Sequence, residues 1–171
     1  MGYTHYWRRP RQLKLETFRR FVHDVGVLLH HLPLRTNGAG GFYSQRLLVV
    51  CGAWGNGAPT LSEQEVAFNG DAAEELDHET FAVERVYCPA PWETLDLNGH
   101  FFSFCKTARK PYDLAVTGSL LLLQQHFGSA VRISSDGTAQ EWEPARELLS
   151  KVFGPDLAYT AWEQVWPQRS N

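Results

Sequence analysis

Three cysteines, widely spaced and odd in number, leave this chain without a disulfide framework. Cys51, Cys88 and Cys105 also lack the paired spacing of a zinc knuckle, and they read as reduced thiols of a cytoplasmic protein. No apolar run reaches the roughly 20 residues needed to cross a bilayer, so no membrane role is expected. The opening Met1–Trp7 has no apolar core of a signal peptide. A net charge of −3 argues against a surface built to coat extended nucleic acid. The glycine-rich Asn37–Gly41 segment lacks the Lys-Ser/Thr ending of a phosphate loop and precedes a strand where that motif needs a helix. His78-Glu79 has no second histidine at metal-binding spacing. Neither a metal site nor a cofactor is expected, and no catalytic set can be named.

What the chain does have is apolar and aromatic residues, 43% and 13% of its 171. That length fits one domain with a core large enough to fold without staples. The domain is placed at 1–154. The tail at 155–171, with Tyr159, Trp162 and Trp166, packs back or meets a second subunit, so a homo-oligomer stays open.

Residues 2–8 alternate as a strand, with Tyr3, His5 and Trp7 on one side and Thr4 and Tyr6 on the other. A helix over 15–32 carries Phe18, Phe21, Val22, Val25, Leu28, Leu29 and Leu32 as one apolar stripe. Strands follow at 46–52, 65–70 (ending in the Asn69-Gly70 turn) and 79–86. An aromatic strand at 100–105 runs into Lys106-Thr107-Ala108-Arg109-Lys110, which opens a helix over 111–127 that is apolar nearly all round. Such a helix implies burial against a sheet on one face and a partner on the other. A strand at 130–134 and a helix at 139–153, with Thr138 and Glu141 as its capping box, complete the domain. The order reads as α+β: a mixed sheet of about five or six strands, three main helices and one C-terminal βαβ unit.

Parallel strands at 100–105 and 130–134 would end at one sheet edge, where open sheets bind ligands. Lys106, Thr107, Arg109 and Lys110 would meet Ser134, Ser135 and Asp136 there. Both loops feed a helix N-terminus, which favours an anion. Tyr112 and Asp113 complete that candidate site. The same residues also read plainly, with Thr107 or Asp113 as helix caps and Ser135-Asp136-Gly137 as an ordinary turn. His5, Tyr6 and Trp7 could stack a base or belong to the core. Asn69 is a further candidate that its turn also explains.

The Gly2–Trp7 opening, the Phe68-Asn69-Gly70 turn, the Phe104–Asp113 segment and the Ser135-Asp136-Gly137 segment with Trp142 together resemble an uncharacterised family of small bacterial and phage proteins. The resemblance spans most of the chain. It implies action against host defence, in the host cytoplasm, by sequestering a nucleotide signal or binding a host effector. The leading expectation is therefore a binding protein for a small anionic, nucleotide-like molecule, ahead of an enzyme. One alternative is a hydrolase of a phosphodiester or glycosidic bond, with Asp136, Asp113, His5 or Glu79 as acid–base groups. Another is a protein–protein inhibitor or adaptor using the aromatic tail.

Overall fold

The computed structural model describes residues 2–35, 46–47 and 50–167, with the two short pieces 34–35 and 46–47 described by backbone alone. The glycine turn expected at 37–41, and residues 48–49 of the strand expected at 46–52, lie outside the described residues. In chain order the elements are β1 (Thr4–Arg9), α1 (Leu15–His30), β2 (Leu34–Arg35), β3 (Arg46–Leu47), β4 (Thr60–Leu61), β5 (Glu65–Phe68) and β6 (Phe81–Glu84). Then come β7 (Phe101–Lys106), α2 (Asp113–Phe127), β8 (Arg132–Ser135), α3 (Ala139–Phe153) and α4 (Pro155–Val165).

The class is α+β, but the strands pair differently from the single mixed sheet expected. They form one antiparallel sheet in the order β7-β1-β8, a second in the order β4-β5-β6, and a β2-β3 pair. β7 and β8 do not touch as a parallel pair, because β1 lies between them and runs antiparallel to both. Thr4 faces Lys106 and His5 faces Ser135, so β7 and β8 still end at one edge, beside the start of β1. No local pattern encodes this arrangement, since it depends on a strand from the far end of the chain inserting between the two.

The helices cover the inner face of the first sheet. Phe18, Phe21, Val25 and Leu28 of α1 are fully buried, each contributing about 1.5–3 kcal/mol of transfer free energy. Every residue of α2 from Ala115 to Gln124 is buried. Its all-round apolar surface is met by α1, α3, α4 and β8, so covering it takes no second subunit. A Cβ at Gly118 would come within 2.8 Å of a Leu28 methyl, which is why this position carries none where α1 and α2 meet. The capping box of α3 is present, with Thr138 and Glu141 exchanging hydrogen bonds. Gly154 stops α3, and Pro155 then starts a fourth helix at a position where proline's missing N–H costs nothing. Ala158, Ala161 and Trp162 of α4 are buried. Among the described residues no helix is long and apolar enough to cross a membrane.

Arg9 joins the two three-stranded sheets. It is 1% exposed, and its guanidinium donates to the carbonyls of Pro10 (3.1 Å), Arg85 (3.2 Å), Arg11 (3.4 Å) and Glu84 while lying over the Tyr87 ring. Burial pulls its pKa down to about 10, so it is still charged at neutral pH. The cation holds the end of β1 against the end of β6. Arg9→Met should cost roughly 2–4 kcal/mol, since hydrogen bonds from a charged donor are lost and buried carbonyls are left unpaired. Urea unfolding measures this, and a change below about 0.5 kcal/mol would contradict the clamp.

Candidate functional site

The pleat sorts the expected site residues onto opposite faces of the β7-β1-β8 sheet. His5, Trp7 and Arg9 point in with Phe101, Cys105, Ile133 and Ser135. Tyr6 and Arg8 point out with Phe102, Phe104, Lys106, Arg132 and Ser134.

On the inner face His5 is fully buried, edge-on to Tyr3 (5.0 Å between ring centres) and to Trp142 (5.2 Å). Its Nε2 lies 2.7 Å from Asp113 Oδ1, and its Nδ1 lies 2.8 Å from Ser135 Oγ. A carboxylate only accepts, so Nε2–H donates to Asp113, and Nδ1 shares its hydrogen bond with the Ser135 hydroxyl. Thr107 donates its hydroxyl to the same Asp113 oxygen, and the Gly137 N–H donates to Ser135 Oγ at 2.9 Å. The Thr107 and Ala108 N–H groups both donate to the Tyr3 carbonyl, and Asp136 N–H donates to the Thr4 carbonyl. The three segments thus meet at one edge, with His5 as the bridge.

That bridge leaves the basic turn poorly suited to an anion. Asp113 puts its own carboxylate in the first turn of α2, where the helix dipole favours negative charge. Arg109 lies 4.1 Å over the Tyr3 ring and donates twice to Glu141 Oε1, at 2.9 and 3.1 Å. Hydrogen bonds from Thr138 and Arg109 hold the Glu141 carboxyl below the usual carboxylate range. Lys110 donates to the Glu75 carbonyl at 2.6 Å. The third cation, Lys106, belongs to the outer face. Tyr112 is buried and donates its hydroxyl to the Glu79 carbonyl at 2.7 Å. Trp7 is buried against Phe81, beyond the reach of a base. Asn69 is a buried clip: its amide donates to Ala53 and His78 carbonyls and accepts from the Gly70 and His78 N–H groups.

The order Ser135, His5, Asp113 has the polarity of a nucleophile relay. Its placement does not suit that work. Ser135 faces the helices, its oxygen already accepts the Gly137 N–H, and the imidazole is sealed from solvent. The arrangement fits a latch that ties β1, the start of α2 and the end of β8 together. Among the described residues no group of His, Cys, Asp and Glu is placed to hold a metal ion.

The outer face is different in kind. Phe102 and Phe104 are 42% and 53% exposed. Tyr6 stacks on Phe102 with centroids 5.8 Å apart, Phe104 lies 6.0 Å from Phe102, and Arg8 caps Phe102 at 5.2 Å. Arg132 and Ser134 are exposed beside them on β8. The Tyr6 hydroxyl donates to both oxygens of Asp136, at 3.1 and 3.2 Å, and the Thr4 N–H donates to one of them. Arg8, Phe102, Phe104 and Arg132 were not among the candidates read from the sequence. The alternation Phe102, Phe104, Lys106 along one side of the aromatic strand was the signal that could have found them.

No protein-family profile, curated protein or solved structure matches the chain.

The latch should show as energetic coupling. His5→Ala should cost about 2–4 kcal/mol, and the His5/Asp113 double-mutant cycle should return at least about 1 kcal/mol of interaction. Additive single effects, within error, would contradict it. Stability should also fall at high pH. Burial, with Asp113 and Glu141 nearby, pushes the Tyr3 hydroxyl well above the ordinary tyrosine value, and burial raises Tyr112 likewise. Burial pushes Tyr87 and Cys105 each up to about 12. Folded pKa values above the unfolded ones give stability that is complete below about pH 8.5 for the thiol and about pH 10 for the phenols. It is then lost as the pH climbs towards the folded values. Urea midpoints should be flat from pH 7 to 8 and drop clearly by pH 11; a constant midpoint would contradict the burial of these groups.

Proposed function

We propose that the protein binds a small anionic, nucleotide-like ligand on the outer face of the β7-β1-β8 sheet, without turning it over. The observation that carries this reading is the pair of exposed rings Phe102 and Phe104 beside the half-buried Tyr6, with Arg8, Arg132 and Lys106 around them. Soluble proteins seldom leave phenylalanines on an open sheet face, and such patches mark contact surfaces. Aromatic rings accept any base by stacking, worth about 1–3 kcal/mol per base, while the guanidinium and ammonium groups take the phosphate. Asp136 and Ser134, at the same rim, offer an acceptor and a hydroxyl to a sugar or a base edge. A protein that holds such a molecule intact would act by sequestration.

Calorimetric titration with the four ribonucleoside monophosphates and their nucleosides tests the reading. Nucleotides should bind more tightly than nucleosides, and Phe104→Ala should weaken binding about 5- to 150-fold, the factor equivalent to 1–3 kcal/mol. Arg109→Ala should change it less than about threefold, because that guanidinium is already committed to Glu141. No heat with any nucleotide, or full loss with Arg109→Ala and none with Phe104→Ala, would overturn it.

A further inference from the structure

The outer face is wider than one nucleotide can use. Three rows of residues cross it. Lys106 and Thr4 form the first, Phe104, Tyr6 and Ser134 the second, and Phe102, Arg8 and Arg132 the third. At about 3.3 Å per residue the first and third rows lie about 13 Å apart along β1, and the three strands make the face about 10 Å wide. Cations therefore stand at both ends of an aromatic patch. Arg8 is held at its own end, over the Phe102 ring and 3.4 Å from Asp96. Arg132 shares that end, opposite Arg8. A charge-assisted hydrogen bond spans only about 2.7–2.9 Å, so one phosphate cannot serve both ends.

The rings also offer more than one stacking place. Tyr6 and Phe102 are nearly parallel, 22° apart, while Phe104 is turned 31° from Phe102, and the two phenylalanines stay open to solvent. One base can lie at Phe104 near Lys106 and a second at Phe102 near Arg8 and Arg132. Lys106, then Phe104, then Arg8 and Arg132 beside Phe102 give cation, ring, cation, ring, the order of phosphate and base along a single strand. Here the charges against the rings are cations, and the two carboxylates at the rim are already paired: Asp136 with the Tyr6 hydroxyl and the Thr4 N–H, Asp96 with Arg8 and with the N–H groups of Asn98 and His100.

Resting on the nucleotide reading above, we propose that the ligand of this face is a short single strand of two or three nucleotides, with bases on Phe104 and Phe102 and phosphates on Lys106 and on Arg8 with Arg132. The inference concerns a short segment, consistent with a net charge that disfavours coating long nucleic acid.

Calorimetric titration with thymidine monophosphate, (dT)2, (dT)3 and (dT)6 decides it. Affinity should rise at least tenfold from the monophosphate to (dT)3 and less than threefold more to (dT)6. With two phosphates engaged, log K for (dT)3 should fall with log salt at a slope of roughly −1.4, and Lys106→Ala and Arg132→Ala should each make it shallower, by up to about 0.7. Both residues are on the surface, and matching circular dichroism and melting curves would establish that the variants are folded. Equal affinity for the monophosphate and (dT)3 would overturn the inference and leave the nucleotide reading standing. A continued steep rise to (dT)6 would overturn the stated length. No binding by any of the four, with nucleotides of other bases also silent, would overturn both and leave the aromatic face to a protein partner.

Discussion

The hydrogen bonds of His5 hold the functional end of the molecule together. One ring nitrogen reaches the first turn of α2 and the other reaches the last residue of β8, from a strand that lies between β7 and β8. An imidazole suits the task because its two nitrogens sit on opposite sides of one rigid ring and each can hold a distant partner in a buried place. Removing it would leave a carboxylate and a hydroxyl facing each other across a gap in the core. Edge contacts with Tyr3 and Trp142 fix the ring plane, and Trp142 in turn packs on Trp166 of the C-terminal segment.

Given that latch, the rest of the edge follows from the pleat. Once His5 faces inward, Tyr6 must face outward, and the antiparallel register then sets Phe104 and Ser134 beside it. Cross-strand stacking of Tyr6 on Phe102 and the cation–π contact of Arg8 follow from the same register. The basic turn is drawn into the structural side of this division. Its helix start is filled by Asp113, and its arginine is spent on Glu141 and Tyr3. Charge density in a sequence counts cations, but an anion site needs cations that a ligand can reach.

Much of this is legible in the sequence. The α+β class, the α1 stripe, the Thr138–Glu141 capping box and the split of Tyr3, His5 and Trp7 from Thr4 and Tyr6 all follow from local period or spacing. The meeting of residues 106–113 with 134–137 was also readable as a consequence of two strands ending at one edge. The insertion of β1 between those strands was not, because pairing partners far apart in the chain leave no local mark. Nor was the direction of β7 readable, since Phe101, Phe102 and Phe104 put aromatic rings on both of its sides. Arg9 illustrates a different limit: a buried arginine held by carbonyls has no sequence signature, since carbonyls belong to every residue.

The central claim is that the inner network is a latch and the outer sheet face is the ligand surface. Two-dimensional NMR of the aromatic and histidine side chains during titration with (dT)3 tests it most directly. The account predicts that the ring signals of Tyr6, Phe102 and Phe104 shift progressively, while the His5 ring, protonated at Nε2, keeps its chemical shifts throughout. Shifts concentrated on His5 and on the amides of Thr107–Asp113, with Phe102 and Phe104 unmoved, would contradict it.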